Sequence, residues 1–236
     1  MMQIKGIITL PGDKSISHRS LMLASLTNGS CVINNISTGL DVESTRICLE
    51  GCGINSRKNG NNITIIGGTF NSPNKPLNCG NSGTTARLMS GLLAGKNINA
   101  EFIGDKSLSK RPMKRIINPL SKMGVSIQSK NGHLPLIISS VELNSIDYTI
   151  PISSAQVKSS IILAGLGSMG ETKVHEKIKT RNHTEIMLKE LGAEITIDDI
   201  ISIHPLKSPL SPFELTVPGD PSSAAFFGAA AAMIPN

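Results

Sequence analysis

Five short stretches of this chain set cations beside small or hydroxyl residues at turns. They are Lys14-Ser15 with Arg19, Asn81-Ser82-Gly83 with Arg87, Lys110-Arg111, Ser153-Ser154-Ala155-Gln156 with Lys158, and Thr180-Arg181. The chemistry such residues support is the holding of an anion. A helix N-terminus leaves backbone N–H groups unpaired and carries a partial positive charge. Ser and Lys side chains placed there complete a shell for phosphate or carboxylate. Gly83 lacks a Cβ and leaves its backbone open to close approach. Any one of these helix starts alone is an ordinary cap. The recurrence of the pattern with cations beside it points to a phosphate or carboxylate site. Arg87 and Lys158 read as structural surface charges.

Metal and thiol chemistry find no support. The five histidines lack HxxH or HxxxH spacing, and the four cysteines lack CxxC spacing. Cys48 and Cys52 lie four apart on a helical pattern and read as reduced core thiols. No metal site is expected.

The elements that must position these residues repeat. Leu10-Pro11-Gly12-Asp13-Lys14-Ser15 near the start is echoed by Val217-Pro218-Gly219-Asp220-Pro221-Ser222 near the end. Each copy follows an apolar run that reads as a strand, Ile7–Leu10 and Phe213–Val217, and precedes a helical run, Ser15–Leu26 and Pro221–Met233. Between them, a polar cluster opens a helix at Ser15, Asn81-Ser82 and Ser153-Ser154, a period of roughly 70 residues. The first helix of each unit is rich in Ala, Leu and Ser: Ser17–Leu26, Thr84–Leu93 and Gln156–Leu166. A more charged second helix follows at Asp41–Glu50, Arg111–Lys122 and Asn182–Glu190, with a strand after each, Ile54–Arg57, Val125–Gln128 and Glu194–Ile197. A polar turn then leads to another strand, Ile63–Ile66 or Leu136–Ile138. The rhythm predicts an α/β fold of three βαβαββ units plus the start of a second domain. Residues 1–13 supply the first strand of that incomplete domain, 14–216 form a complete three-repeat domain, and 217–236 return to the incomplete one. Ala224–Ile234 reads as a buried helix.

A formal charge of +6 calls for an anionic partner. Nucleic acid fits poorly: with five Phe, one Tyr and no Trp there are few faces on which bases could stack, and no basic helix resembles a groove reader. Single cations at turns suit a small, multiply charged ligand. No apolar stretch approaches the roughly 20 residues of a membrane helix, and no signal-peptide pattern opens the chain. A cytoplasmic enzyme is the expectation.

Six ordered motifs then carry a family resemblance. They are Pro11-Gly12-Asp13-Lys14-Ser15-Ile16-Ser17-His18-Arg19, Gly80-Asn81-Ser82-Gly83-Thr84-Thr85-Ala86-Arg87-Leu88, and Gly104-Asp105-Lys106-Ser107-Leu108-Ser109-Lys110-Arg111-Pro112-Met113. Ser153-Ser154-Ala155-Gln156-Val157-Lys158-Ser159, Thr180-Arg181-Asn182-His183-Thr184-Glu185 and Pro218-Gly219-Asp220-Pro221-Ser222-Ser223 complete the series. Together they resemble the signatures of the 5-enolpyruvylshikimate-3-phosphate (EPSP) synthases over essentially the whole chain. The resemblance implies transfer of the enolpyruvyl group of phosphoenolpyruvate to the 5-hydroxyl of shikimate 3-phosphate, with release of phosphate, on the way to chorismate and the aromatic amino acids. It implies no cofactor, two clam-like domains of three units each, and a monomer when complete.

By motif position, the resemblance assigns Lys14, Ser15, Arg19, Ser154, Ala155, Gln156 and Arg181 to shikimate 3-phosphate. It assigns Lys14, Gly83, Arg111 and Gln156 to phosphoenolpyruvate. Ala155 replaces a Ser found in many members, a form shared by a subset in which Arg181 looks like an additional phosphate ligand. Gly83 is the residue type associated with inhibition by glyphosate at the phosphoenolpyruvate site, whereas Leu88 stands where sensitive members often have Pro. Members are considerably longer than this chain, and the acidic catalytic residues lie in the part with no counterpart here. The resemblance therefore implies a fragment inactive alone, with a separate C-terminal half as partner and no catalytic acid or base of its own. Two other readings stay open: the sister transferase acting on UDP-N-acetylglucosamine, whose reactive Cys loop is not evident, and a non-catalytic phosphate-ester binding domain.

Overall fold

The computed structural model describes residues 6–139 and 141–233. Three helices at its centre are the first helices of the three units: α1 (Lys14–Ser25), α3 (Gly83–Gly95) and α5 (Ala155–Gly165). Around them lie α2 (Leu40–Gly51), α4 (Lys114–Lys122) and α6 (His183–Glu190). A short 3-10 turn, Leu108–Lys110, precedes α4, which starts three residues later than the sequence pattern indicates.

The three sheets share one topology. The first contains β1 (Ser30–Asn34), β2 (Asn55–Asn59), β3 (Asn62–Ile66) and β12 (Glu214–Thr216), in the order β12-β1-β3-β2. The second contains β4 (Leu77–Asn78), β5 (Ala100–Ile103), β6 (Ser126–Lys130) and β7 (His133–Ser139), in the order β4-β5-β7-β6. The third contains β8 (Asp147–Ile150), β9 (Thr172–Glu176), β10 (Ile195–Ile197) and β11 (Ile200–Ile203), in the order β8-β9-β11-β10. In each, the first two strands pair in parallel and the remaining two join antiparallel. Parallel pairing demands a crossover, and the axial helix supplies it in the second and third units.

The first unit is closed differently. Its parallel strand comes from the far end of the chain, with Val32 opposite Glu214 and Asn34 opposite Thr216. The expected strand at Ile7–Leu10 does not form. Ile7 and Ile8 stand exposed. The two Pro-Gly segments instead meet side by side: Gly12 bridges Gly219, Asp13 N–H donates to Pro218 O (2.8 Å), and Asp220 N–H donates to Pro11 O (2.9 Å).

The axial helices are buried despite their serines because several of the hydroxyls find a carbonyl one turn back. Ser17 donates to Asp13 O (2.7 Å), Ser20 to Ile16 O (2.9 Å) and Ser90 to Ala86 O (2.6 Å). Ser160 on α5 is the exception, its buried hydroxyl having no partner among the described residues. α3 and α5 approach closely through Gly91, where a Cβ would lie 2.1 Å from Ser160 O. The final helix, α7 (Pro221–Met233), departs from expectation: none of its residues is buried, and Phe226 is 80% exposed. It is apolar on every side, yet no element among the described residues packs over it. No described helix is long and apolar enough to cross a membrane.

Candidate active site

The N-termini of α1 and α5 open onto one cavity of about 750 Å³. Asp13 caps α1 by accepting from Ile16 N–H (2.8 Å), and Ser154 caps α5 by accepting from Val157 N–H (3.4 Å). Lys14, Ser15, Arg19, Ser154, Ala155, Gln156 and Arg181 all line this cavity, with Asp13, His18, Thr84, Asp220, Ser222 and Ser223. The last three come from the returning segment and the start of α7.

Arg19 is only 3% exposed and ties three helices together. Its Nε donates to Thr184 Oγ1 (2.6 Å), Nη2 to Ser159 Oγ (2.8 Å), and Nη1 to the carbonyl and hydroxyl of Ser15 (2.9 and 3.2 Å). Burial lowers its pKa to about 10, opposed by the charges of Glu185 and Asp13, so it remains a cation at neutral pH. Lys14 is exposed at the rim and pairs with Asp41 (3.2 Å).

Gln156 is oriented from the neighbouring unit. Arg87 donates to its Oε1 (2.7 Å), and its Nε2 donates to Thr84 Oγ1 (2.9 Å). Arg87 is therefore half-buried and engaged with an expected ligand residue, not the surface charge its sequence context suggests. Its pKa is lowered by burial first, then by Arg111 and Arg115. Gly83 and Arg111 do not line the cavity; they sit beside it around Arg87. A Cβ on Gly83 would meet Arg87 Nη1 at 2.7 Å and Arg111 Nη1 at 3.4 Å. Arg111 also donates to Asn81 Oδ1.

His18 joins these two places. It is wholly buried, with Nδ1 2.7 Å from Thr45 Oγ1, which is 2.7 Å from Thr85 Oγ1. Thr85 in turn donates to Ser82 Oγ (2.7 Å), the cap of α3 beside Gly83. Its Nε2 has no partner among the described residues. Burial, then Arg19 and Lys14, lower its pKa to about 3, so the ring is neutral at any physiological pH.

Lys158 is the second correction. It is 1% exposed, with Nζ 2.6 Å from Glu176 and 2.7 Å from Glu185. The missed signal was a single Lys among Val157, Ser159, Ser160 and Ile161, a position a surface lysine does not occupy. The cysteines are reduced and buried. Burial lifts the Cys52 thiol to about 12, and a hydrogen bond with Cys48 followed by burial raises Cys79. Thiols so shifted carry no nucleophile at neutral pH. Among the described residues no group of three or more His, Cys, Asp or Glu could hold a metal ion.

The sequence profile of EPSP synthase (3-phosphoshikimate 1-carboxyvinyltransferase) matches residues 1–236. The chain belongs to the EPSP synthase family. It is 48% identical over 238 residues to the 3-phosphoshikimate 1-carboxyvinyltransferase of Oceanobacillus iheyensis, covering 99% of this chain and 56% of that protein. With the enzyme of Ruthia magnifica it shares 48% over 237 residues, covering 99% and 54%. The solved EPSP synthase of Acinetobacter baumannii superposes with a TM-score of 0.89 at 40% identity, over 94% of this chain and 52% of that one. The α/β architecture of three mixed sheets and axial helices is thus the EPSP synthase fold. The chain spans about half the length of the curated relatives it matches.

Proposed function

We propose that this chain provides the shikimate 3-phosphate side of an enolpyruvyl transfer. The 5-hydroxyl gives up its proton as its oxygen bonds to C2 of phosphoenolpyruvate, and the methylene takes a proton to become a methyl. That methyl then loses a proton as the C2–O bond to phosphate breaks, leaving the enolpyruvyl ether and inorganic phosphate. The observation that carries the reading is that all seven residues assigned to shikimate 3-phosphate by motif position line one cavity. Lys14 and Arg181 bring charge to its rim, Arg19 backs Ser15 from within, and the capped start of α5 presents Ser154 and Gln156. Phosphoenolpyruvate takes the adjoining place beside Gly83, Arg87 and Arg111, where Gln156 is within reach of both ligands. Residues 14–216 act as one complete domain, and the paired Pro-Gly segments are its crossing to the other.

Binding belongs to this chain and general acid–base chemistry to the remainder. Acid–base groups contribute about 10²–10⁴-fold each, so the chain alone turns over no measurable substrate. Calorimetric titration of the chain with shikimate 3-phosphate tests the reading, with Lys14→Met and Arg181→Ala alongside. Saturable binding weakened in both variants is expected; no heat from the wild type, or equal affinity in all three proteins, overturns it. Phosphate release on adding the remaining half of a relative would separate a catalytic half from a mere phosphate-ester binder.

A further inference from the structure

We infer that Lys158 is a positioning residue that staples the Arg181 loop to the helix carrying Ser154 and Gln156. Lys158 lies one turn into α5, and its ammonium makes three contacts across the loop that joins β9 to α6. These are Glu176 at the end of β9 (2.6 Å), Glu185 in the first turn of α6 (2.7 Å), and the carbonyl of Thr180 between them (3.4 Å). The Thr180 hydroxyl donates to the other oxygen of Glu176, fastening the same loop a second time. Glu176 and the Thr180 carbonyl receive hydrogen bonds from the ammonium, while Glu185 is held by charge alone, its two oxygens having no hydrogen-bond partner among the described residues.

Among the described residues nothing else of comparable weight holds that loop. Residues 177–182 include no buried side chain. Thr180 lines the 750 Å³ cavity on one side, and on the other it lines a second cavity of about 230 Å³ with Lys158, Glu176, Asn182 and Glu185. The loop is a thin wall between two spaces, so packing from behind does not fix it. The staple does, and it delivers Arg181 to the wall of the cavity that Ser154 and Gln156 also line.

The arrangement also settles the charge behind the site. The buried cations Arg19 and Lys158 are matched by Glu176 and Glu185, which are nearly or wholly excluded from solvent. Ser159 and Thr184, the next residues along α5 and α6, bond each other (2.7 Å) and both receive Arg19. Two adjacent rungs, one charged and one of hydroxyls, therefore lock α5 to α6. An anion entering the cavity meets Lys14 and Arg181 together with the carboxylates of Asp13 and Asp220, which also line it.

This inference rests on the assignment of Arg181 to the shikimate 3-phosphate cavity, and its test separates the two. In the full chain, Lys158→Met should weaken shikimate 3-phosphate binding about tenfold, and the same change in an Arg181→Ala background should add nothing, since coupled residues depart from additivity. Equal weakening in both backgrounds overturns the inference. The second readout needs no ligand. The ¹⁵N order parameter at the Arg181 amide should fall from a rigid value near 0.85 to below about 0.6 in Lys158→Met, while α5 stays rigid. Lys158→Met strands two buried carboxylates; the neutral variant Lys158→Met/Glu176→Gln/Glu185→Gln keeps charge balanced and should show the same loosening even where the single variant fails to fold. Absence of binding by the wild type would sink the site assignment alone. An Arg181 amide as rigid in the neutral variant as in the wild type would sink the staple alone.

Discussion

The two sides of the candidate site are built on opposite plans. On the cavity side, Arg19 has hydroxyl and carbonyl partners and buried carboxylates close behind it. On the Gly83 side, Arg87, Arg111 and Arg115 crowd together, and among the described residues none of the three is ion-paired with a carboxylate. The nearest acid, Asp105, is spent on Asn81 and the Leu108 N–H. The first region is organised before any ligand arrives; the second holds like charges whose repulsion an anion would relieve. Preorganisation reduces the entropy a ligand must overcome, whereas uncompensated charge adds attraction. The difference teaches which residues should report on stability and which on affinity.

The largest expected effect is on the cavity side. Arg19→Ala leaves Thr184, Ser159 and Ser15 without their donor and should lower folding stability by about 3 kcal/mol, from the loss of several charge-assisted bonds. Urea unfolding measures it. Arg19→Lys should recover little, because an ammonium cannot reach three helices as a planar fork does. A loss under 1 kcal/mol would mean that the buried network is not the organising element and that the contrast between the sides is false.

His18 tests the seam between the two regions. Its folded pKa, about 3, lies below the unfolded value of 6.5, so in between only the unfolded chain takes the proton. Stability is therefore full above pH 6.5 and falls as the pH drops toward 3. By linkage the loss between pH 7 and pH 5 is about 2 kcal/mol. His18→Asn should flatten that part of the profile. A wild type as stable at pH 5 as at pH 7 would place a charge or water beside Nε2 that the buried relay excludes.

Much of this was legible in the sequence, for identifiable reasons. Axial helices announce themselves by a polar cap, an Ala/Leu/Ser body and a Gly stop, so their bounds fell within a few residues of Lys14–Ser25, Gly83–Gly95 and Ala155–Gly165. The cations at those starts were visible as cations at turns. Three things were not. The pairing of β12 with β1 joins residues nearly two hundred positions apart, and no local pattern names the partner of either strand. The exposure of α7 depends on what packs against it, which its own composition does not encode. Lys158 and Arg87 looked like lone surface cations, because their partners Glu185, Glu176 and Gln156 are brought close only by tertiary packing.

On the Gly83 side the effects should pass to affinity. Arg111 is half-buried, and the one described hydrogen bond of its side chain goes to exposed Asn81. Arg111→Ala should change stability by no more than about 0.5 kcal/mol, as for other changes away from the core. In a complete, reconstituted enzyme it should raise the KM for phosphoenolpyruvate by an amount equivalent to roughly 1.5–3 kcal/mol, the worth of a bond to a charged group. Steady-state kinetics beside urea unfolding reads both quantities. A variant that unfolds early yet keeps its KM would reverse the assignment of the two sides.

The smallest change in stability, and the sharpest test of whether the sides are separable, is Gly83→Ala. Gly83 is the first residue of α3, where alanine is favoured over glycine by about 1 kcal/mol in a helix. Against that gain, the new methyl would sit 2.7 Å from Arg87 Nη1, the far end of a movable side chain. The two terms nearly cancel, and stability should stay within about 0.5 kcal/mol of wild type. The guanidinium must still move, and the bond it would strain is the one that orients Gln156. The methyl should thus act twice: it crowds the proposed phosphoenolpyruvate position directly, and through Arg87 it disturbs a residue of the proposed shikimate 3-phosphate cavity. In a complete enzyme the inhibition constant of glyphosate, which the family resemblance places at the phosphoenolpyruvate position, should rise more than the KM for phosphoenolpyruvate. In this chain alone, titration with shikimate 3-phosphate should show a modest loss of affinity for Gly83→Ala, and none for Gly83→Ala added to Gln156→Ala. An unchanged affinity in the single variant would mean that Arg87 yields without disturbing Gln156, and that the two sides are independent despite sharing that amide.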